Sequence, residues 1–339
     1  MKSALHLSLI AVLLLALPAG GWAQTLDLKW GTSAAGSAGH RSMVNLASVL
    51  GRELPELRIS MLPTPGAIVT VKGYATGQFD GYYGSDVAFY ELANDTARFK
   101  GFKAQAKRMP VQSLWIYTTE VGAAIHARDR DKYKSWRDLS GQRVFTGPLP
   151  WDVRAVLERA FQVLGVKHEY LEVDLQSVGS LLDRGTVKGF IVYTNALAST
   201  APWITETSLS TDWAMLNPSA EEREAIKKAG MQIVEVPAAA YKRDVHAKTV
   251  YHIPFYYGFH LGKEIPADVV YKVINAVEKN VDELAKIDPA YAQVRDDMVG
   301  MQRRGIESSI DLVEVHPGLA RWMKEKGAWN AKWDARIAK

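Results

Sequence analysis

The stretch LDLKWGTSAAGSAGHRSMVNLASVL, residues 26–50, carries the pattern that decides the fold. Its first residues alternate between apolar and polar side chains, with Leu26, Leu28 and Trp30 on one face, which predicts a β-strand. A loop rich in glycine, alanine and serine follows, and apolar residues then recur at helical spacing from Met43 to Leu50. A strand, a loop and a helix in this order are the start of a parallel βαβ unit.

The same alternation of strand and helix continues through most of the chain. We predict further strands at residues 57–61, 80–83, 143–145, 169–173 and 189–193. Helices are predicted at residues 65–76 and 153–164, and the stretch from Pro254 onward is predicted to be largely helical. Strands separated by helices favour two α/β domains built on parallel sheets, with helices on both faces.

Length and composition agree with a globular protein of two domains. The chain has 339 residues, which is more than one compact core usually holds. Its 41 basic and 37 acidic residues are scattered, so no surface for nucleic acid is predicted. The sequence contains no cysteine, which excludes disulfides, thiolate metal sites and a cysteine nucleophile.

The N-terminal segment has the features of a secretory signal peptide. Lys2 precedes an apolar run at residues 7–17, Pro18 ends the run, and small residues lead up to Ala23. The run is shorter than the roughly 20 residues that span a bilayer, which disfavours a membrane anchor. We therefore expect a signal peptide at residues 1–23, cleavage after Ala23, and a free protein in the periplasm.

A set of short motifs accompanies the predicted elements along the mature chain. They are Gly31-Thr32, Gly77–Asp80, Asp138–Val144, Gly185–Gly189, Ile265–Tyr271, His316–Gly318 and Lys324–Gly327. In their order and spacing, from Leu28 to about Trp329, the chain resembles the TAXI family, the solute-binding proteins of a subclass of TRAP transporters. The resemblance implies an α/β, type II periplasmic-binding-protein fold, in which two lobes joined by crossover strands enclose a ligand cleft.

The predicted domain division follows the two crossovers. Lobe 1 is expected to contain residues 24–114 and 253–339, and lobe 2 residues 115–252. The crossover strands, near residues 115–118 and 249–255, would carry the hinge about which the lobes close on a solute. The resemblance implies that the closed protein, expected to be a monomer, delivers a small molecule to a cation-driven TRAP-type permease.

The sequence departs from this family in both ligand loops. Where relatives carry paired glycines followed by two tyrosines, this chain has Gly36-Ser37 and Gly39-His40. Where relatives carry Ser-Gly-Thr at the start of the lobe 2 helix, this chain has Trp151-Asp152-Val153. The missing glycine and hydroxyl remove part of an anion-binding site. Several relatives bind glutamate or related dicarboxylates, whereas here we expect only a small solute that carries a carboxylate.

Loops at the carboxyl ends of the strands should line the cleft, because ligands bind there in open parallel sheets. The lobe 1 candidates are Ser33, Ser37, His40, Arg41, Thr64, Gly66, Tyr83 and Ser85. The serines and His40 would form hydrogen bonds with the solute, although Ser37 could equally cap a helix and His40 lie on the surface. Arg41 would suit a carboxylate, or be a solvated surface residue.

The lobe 2 candidates are Trp151, Asp152, Arg154, Tyr193 and Asn195. Trp151 is either an aromatic wall of the pocket or a residue that packs the lobes together. Asp152 is either the N-cap of the following helix or a contact for a donor group, and Arg154 either binds a carboxylate or is solvated. Further aromatic residues near the crossovers, some of which should line the cleft, are Trp115, Tyr117, Tyr251, Tyr256 and Tyr257.

No motif points to catalysis, and no catalytic, metal-ligating or cofactor-binding residue is predicted. The eight histidines are dispersed, and the sequence has no Gly-x-Ser-x-Gly motif, no zinc-protease motif and no phosphate-binding loop. We therefore expect a binding protein without cofactor rather than an enzyme. Two alternatives stay open: an ABC-type binding protein with the same fold, and a secreted α/β enzyme that turns over its solute.

Overall fold

The computed structural model describes residues 25–339, so the predicted signal peptide at residues 1–23 lies outside the described residues. The strands are β1 (Leu26–Thr32), β2 (Leu57–Pro63), β3 (Gly81–Ser85), β4 (Val111–Gln112), β5 (Trp115–His126), β6 (Arg143–Phe145), β7 (Glu169–Tyr170), β8 (Gly189–Asn195), β9 (Ser199–Thr200), β10 (Trp213–Leu216), β11 (Val234–Val236), β12 (Val250–Leu261) and β13 (Glu314–Val315). The α-helices are α1 (Ala38–Glu53), α2 (Ala67–Thr76), α3 (Asp86–Ala93), α4 (Asp152–Leu164), α5 (Val178–Asp183), α6 (Pro202–Ser210), α7 (Ala220–Lys228), α8 (Ala267–Lys279), α9 (Val281–Ile287), α10 (Ala292–Ser309) and α11 (Pro317–Glu325).

One 11-stranded sheet runs through the molecule in the order β2-β1-β3-β12-β5-β8-β6-β7, with β9, β10 and β11 paired at its sides. At one end β1 pairs in parallel with both β2 and β3, and at the other end β6 pairs in parallel with β7 and β8. Each parallel group is the βαβ arrangement that the sequence predicts. The antiparallel strands β5 and β12 lie between the two groups and join them.

The two central strands pair with each other and connect the two parallel groups. They are 12 residues long, and in β12 the segment Tyr257–Leu261 pairs with β3 while the opposite end pairs with β11. The register of the β5–β12 pair shifts between Tyr257 and Gly258. Gly258 permits this bulge, since a Cβ atom there would lie 2.5 Å from the carbonyl oxygen of Leu114. The result is the predicted two-lobed α/β fold with crossover strands.

The helices pack on the sheet and on one another through the apolar faces that the sequence pattern predicts. Helix α1 buries Met43, Leu46 and Leu50, and α8 buries Val273 and Val277. Full burial of each such side chain contributes about 1.5–3 kcal/mol relative to exposure. This packing holds the N-terminus of α1 rigidly at the carboxyl end of β1, where a ligand site is expected.

Two details of the predicted secondary structure differ from the observed one. The stretch from Pro254 onward is largely helical, as predicted, but its first residues belong to β12 (Val250–Leu261), which is rich in aromatic and β-branched residues, and the helices begin only at Ala267. The strand predicted at residues 169–173 is confined to Glu169–Tyr170, where its neighbour β6 offers just three residues to pair with.

Candidate functional site

A cavity of about 30 Å³ lies at the seam between the lobes, beside the crossover strands. Its polar lining residues are Ser33, Ser37, Thr119 and Asn195. Its aromatic lining residues are Tyr83, Trp151, Tyr193 and Tyr257, and the remaining wall is formed by Ala38, Gly39, Ala67 and Val153. The structure therefore brings together candidates from both lobes: Ser33, Ser37, Tyr83, Trp151, Tyr193 and Asn195.

The N-terminus of α1 forms the lobe 1 side of the cavity. Ser37 is the N-cap residue, and its Oγ accepts a hydrogen bond from the backbone N–H of His40 at 3.1 Å. The N–H groups of Ala38 and Gly39 begin the helix, so no carbonyl four residues earlier within it can accept from them. Gly39 is required for packing, because a Cβ atom there would lie 2.6 Å from the ring of Tyr83.

Two stacked tyrosines form part of the cavity wall. The rings of Tyr83 and Tyr257 stack with centroids 4.2 Å apart and an interplanar angle of 12°. The hydroxyl of Tyr83 also shares a hydrogen bond of 2.8 Å with that of Tyr117. Burial raises the pKa of Tyr83 and Tyr257 well above the ordinary value, so both phenols are neutral at physiological pH.

Trp151 lines the cavity and also contacts the loop that contains Pro65. Its ring lines the cavity and lies edge-on to Tyr193, with centroids 6.5 Å apart. Its Nε1–H donates to the carbonyl oxygen of Pro65 in lobe 1 at 3.1 Å, which ties the two loops together. Tyr193 is in turn fixed by Trp203, whose Nε1–H donates to the Tyr193 hydroxyl at 3.1 Å.

Asn195 contributes a hydrogen-bond donor that has no partner among the described residues. Its Oδ1 accepts from the hydroxyl of Thr119 at 2.8 Å, whereas its Nδ2 is buried without a hydrogen bond. The residue is only 2% exposed. A buried unpaired donor costs about 1–3 kcal/mol, and an acceptor on a bound solute would remove that cost.

Three lobe 1 candidates bind other parts of the protein instead of lining the cavity. The Nδ1 atom of His40 is hydrogen-bonded to the hydroxyl of Thr32 at 2.7 Å. Arg41 forms a two-pronged ion pair with Asp288, with both contacts at 3.2 Å. The hydroxyl of Thr64 lies 2.9 Å from the carbonyl oxygen of Thr32 and supports the loop backbone. None of these three side chains lines the cavity.

Ser85 and Asp152 are joined across the lobes. The Asp152 carboxylate accepts from Ser85 Oγ at 2.6 Å and from Arg98 Nη1 at 2.6 Å, and it is fully buried. Asp152 is therefore not the N-cap of α4, a position that Trp151 occupies without a side-chain cap. Instead the carboxylate is held by lobe 1, and we call the contact between Arg98 and Asp152 the interlobe ion pair.

Gly66 and Arg154 also have structural rather than cavity-lining positions. A Cβ atom on Gly66 would lie 2.8 Å from the carbonyl oxygen of Pro150, so glycine allows the two loops to meet. Arg154 stacks over the ring of Tyr170 at 3.6 Å and pairs with Glu158 at 3.4 Å. It lies on an open groove of about 910 Å³ between α3 and α4, which the crossover residues Ile253–Tyr256 also line.

Replacing Gly66 with valine should hold the two loops apart, because the added side chain meets the Pro150 backbone. We expect a larger radius of gyration by X-ray scattering and at least a tenfold loss of solute affinity. Gly51→Val is the matched control, since a Cβ atom at Gly51 in α1 has open space around it. An unchanged radius of gyration in Gly66→Val would contradict this role of the loop contact.

Sequence reasoning missed Thr119 as a site residue and included Tyr257 only in a broader aromatic group. Both lie on the central strands, Thr119 in β5 and Tyr257 in β12. Side chains along a strand alternate between its two faces, so Thr119 lies on the same face of β5 as Tyr117. This alternation could have identified Thr119 from the sequence.

The sequence profile of the NMT1-like family matches residues 31–327. The chain belongs to the NMT1-like family. This is a family of substrate-binding proteins rather than enzymes, in agreement with the prediction that the chain is not an enzyme. No curated protein matches the sequence of this NMT1-like chain.

Solved structures share the fold of the NMT1-like chain at low sequence identity. MatC from Rhodopseudomonas palustris, with bound malate, has a TM-score of 0.50 and 11% identity over 78% of this chain and 88% of that chain. The periplasmic aliphatic sulphonate binding protein SsuA from Escherichia coli has a TM-score of 0.44 and 14% identity over 92% of each chain. A protein from Bordetella bronchiseptica RB50 has a TM-score of 0.46 and 13% identity, also over 92% of each. The predicted periplasmic-binding-protein fold of type II is confirmed.

Within residues 25–339, no helix combines the length and the apolar character needed to cross a bilayer. The same residues of this NMT1-like protein contain no group of three or more His, Asp or Glu side chains placed to hold a metal ion.

Proposed function

We propose that the protein is an extracytoplasmic solute-binding protein that captures a small, carboxylate-bearing molecule and delivers it to a TRAP-type membrane permease. The observation that carries the proposal is the cavity at the seam, where hydroxyls, an unpaired amide donor and aromatic walls converge from both lobes. The sequence resemblance to the TAXI family supports the TRAP partner and the periplasmic location. MatC, which shares the fold, was solved with malate, a small carboxylate.

Solute capture would proceed by closure about the central strands. We place lobe 1 at residues 24–114 and 253–339 and lobe 2 at residues 115–252, so that β5 and β12 carry the hinge. The cavity of about 30 Å³ is too small for a carboxylate-bearing solute in this structure. Such a solute enters while the lobes are apart and holds Trp151, Asn195 and the N-terminus of α1 further from one another than they are here.

The permease distinguishes this proposal from its nearest alternative. An ABC-type binding protein would use the same fold and the same cleft, so reconstituted transport with each class of permease decides between them. A secreted enzyme would convert its solute. Recovery of unchanged solute after stoichiometric binding would exclude that activity, and turnover would overturn the proposal.

Trp151→Ala and Ser37→Ala should each weaken binding of the solute that gives the largest thermal shift in a screen of carboxylates, amino acids and aromatic acids. Loss of the Trp151 ring should reduce affinity roughly 10–100-fold, because buried aromatic anchors dominate binding energy. Isothermal titration calorimetry measures both effects. Leu149→Ala is the matched control, since Leu149 lies in the same loop but is 60% exposed. If both site variants bind like the wild type, the site is not at this cavity.

A further inference from the structure

The cavity at the seam is lined without any charged side chain among residues 25–339. Its polar groups are three hydroxyl-bearing residues, Ser33, Ser37 and Thr119, and the amide of Asn195. Burial raises the pKa of Tyr83, Tyr193 and Tyr257 above the ordinary value of 10.0, so the phenol groups are uncharged at neutral pH. A solute at this site therefore meets dipoles and not full charges.

The charged residues nearest to the cavity are already paired within the protein. Arg41, in the first turn of α1, is held by Asp288, which also accepts a hydrogen bond from Ser42 Oγ at 2.7 Å. Asp152, directly after Trp151, is held by Arg98 and Ser85. These contacts engage both carboxylate oxygens of Asp152 and two of the three guanidinium nitrogens of Arg41.

The donors that face the cavity favour one negatively charged group. The unpaired Nδ2 of Asn195, in a residue 2% exposed, is a donor from lobe 2. The first N–H groups of α1, at Ala38 and Gly39, are donors from lobe 1 and lie at the positive end of the helix dipole. Together they can hold one anionic oxygen group between the lobes, with the tyrosine and tryptophan rings around the rest of the solute.

We infer that the solute is a small monocarboxylate with no ammonium group and no second carboxylate, and that Asn195 is a specificity-determining residue for it. This inference rests on the proposed solute-binding function. An ammonium group or a second carboxylate would be enclosed without an opposite charge, and burial of an unpaired charge is strongly unfavourable. α-Amino acids and dicarboxylates should therefore bind at least a hundredfold more weakly than monocarboxylates of the same skeleton.

The test compares solutes that share a carbon skeleton and differ by one added charged group. Propanoate is compared with L-alanine and with butanedioate, and 3-phenylpropanoate with L-phenylalanine and with phenylsuccinate, by isothermal titration calorimetry at neutral pH. We expect at least one monocarboxylate to bind at least a hundredfold more tightly than both of its partners. An amino acid or dicarboxylate that binds as tightly as its monocarboxylate would overturn the inference and leave the solute-binding function intact.

Asn195→Asp tests the role of the amide donor. The substitution keeps an oxygen for Thr119 but replaces the donor with a negative charge, so monocarboxylate affinity should fall at least tenfold and the preference over the amino acid should narrow or reverse. Asn330→Asp is the matched control, because Asn330 is an exposed N-cap where aspartate caps equally well. Unchanged selectivity in Asn195→Asp, with a wild-type melting temperature, would overturn the role of Asn195.

Experiments in which these solutes fail to bind distinguish the monocarboxylate inference from the proposed solute-binding function. If none of the six solutes binds while another solute binds and lowers the radius of gyration, the monocarboxylate inference fails and the solute-binding function stands. If no solute in a wider screen binds or changes the radius of gyration, the proposed function itself fails.

Discussion

Replacing Arg98 with alanine should lower the free energy of unfolding by about 3–5 kcal/mol and shift the lobes apart. The Arg98 guanidinium lies 2.6 Å from an oxygen of Asp152 and 2.8 Å from an oxygen of Glu91. The side chain of Asp152 is fully buried and that of Glu91 is 7% exposed. Without Arg98, two carboxylates face each other in a poorly solvated position, and their energy falls only if they bind protons or regain water.

The pKa of Glu91 shows that burial of these charged groups is unfavourable. Burial raises the pKa of the Glu91 carboxyl even with Arg98 beside it. In Arg98→Ala, opening of the cleft would also lower the energy of the two carboxylates, because it moves them apart and lets water reach them. Asp152 lies in α4, whereas Glu91 and residue 98 follow β3, so the two carboxylates are on opposite sides of the cleft. Urea denaturation and X-ray scattering together should detect both the loss of stability and the larger radius of gyration.

Arg52→Ala is the matched control, because it removes an arginine from an ion pair that is exposed to solvent. Arg52 pairs with Glu283 at 2.8 Å, but the two side chains are 51% and 44% exposed. Solvent screens a pair in this environment, so its loss should change the stability little. If Arg98→Ala and Arg52→Ala have equal stability and both scatter like the wild type, the interlobe ion pair does not hold the closed form.

The strands and helices of the fold could be predicted because their periodicity is local. Alternating residues mark β1 and helical spacing marks α1 and α4 without knowledge of any distant contact. The strand β12 could not be recognised in this way. Its residues contact β3 and β5 on one stretch and β11 on another, so its environment changes along its length and obscures a single alternation.

The difference between local sequence pattern and distant contacts also explains which site candidates line the cavity. Ser37 and Asn195 follow from the rule that loops at the carboxyl ends of strands meet at one edge. The positions of Arg41 and Asp152 depend on partners that sequence spacing cannot reveal, because Asp288 lies 247 residues from Arg41 and Arg98 lies 54 residues from Asp152. Both were candidates for binding a charged solute, and both are neutralised inside the protein.

Glu120→Gln should stabilise the protein relative to wild type by an amount that increases with pH. Glu120 lies in the central strand β5 and is completely buried, with no cation among its hydrogen-bond partners in residues 25–339. Its carboxylate accepts from Thr194 Oγ1 at 2.6 Å, from the Leu197 N–H at 3.1 Å and from the hydroxyl of Thr118. Burial raises the pKa of this carboxyl from 4.5 to about 7 despite these donors.

The sign of the effect follows from the direction of this shift. The folded protein holds the Glu120 proton more tightly than the unfolded chain, so the group favours folding fully at pH values below about 4.5. This contribution is lost as pH rises through about 7. A shift of this size corresponds to about 3 kcal/mol, at about 1.4 kcal/mol per unit of pKa. Glutamine has no carboxyl to ionise, so the variant does not lose this stability at high pH.

The difference in free energy of unfolding between variant and wild type reports the effect of Glu120 alone, without the effects of other buried titrating groups. Burial also raises the pKa of Asp86 to about 7 and lowers that of His252 to about 4, but both groups are present in both proteins. Their effects on the free energy of unfolding therefore cancel in the difference measured by urea denaturation. Between about pH 4.5 and 8, that difference should rise by about 3 kcal/mol in favour of Glu120→Gln.

Glu235→Gln provides the matched control, because Glu235 lies in the neighbouring strand β11 but is exposed to solvent. Its effect on stability should stay within about 0.5 kcal/mol over the same pH range. If the Glu120→Gln difference is equally flat, the Glu120 carboxyl does not bind its proton more tightly in the folded state. If instead the difference rises as expected, the central strand β5 carries a carboxyl whose ionisation destabilises the folded protein near neutral pH.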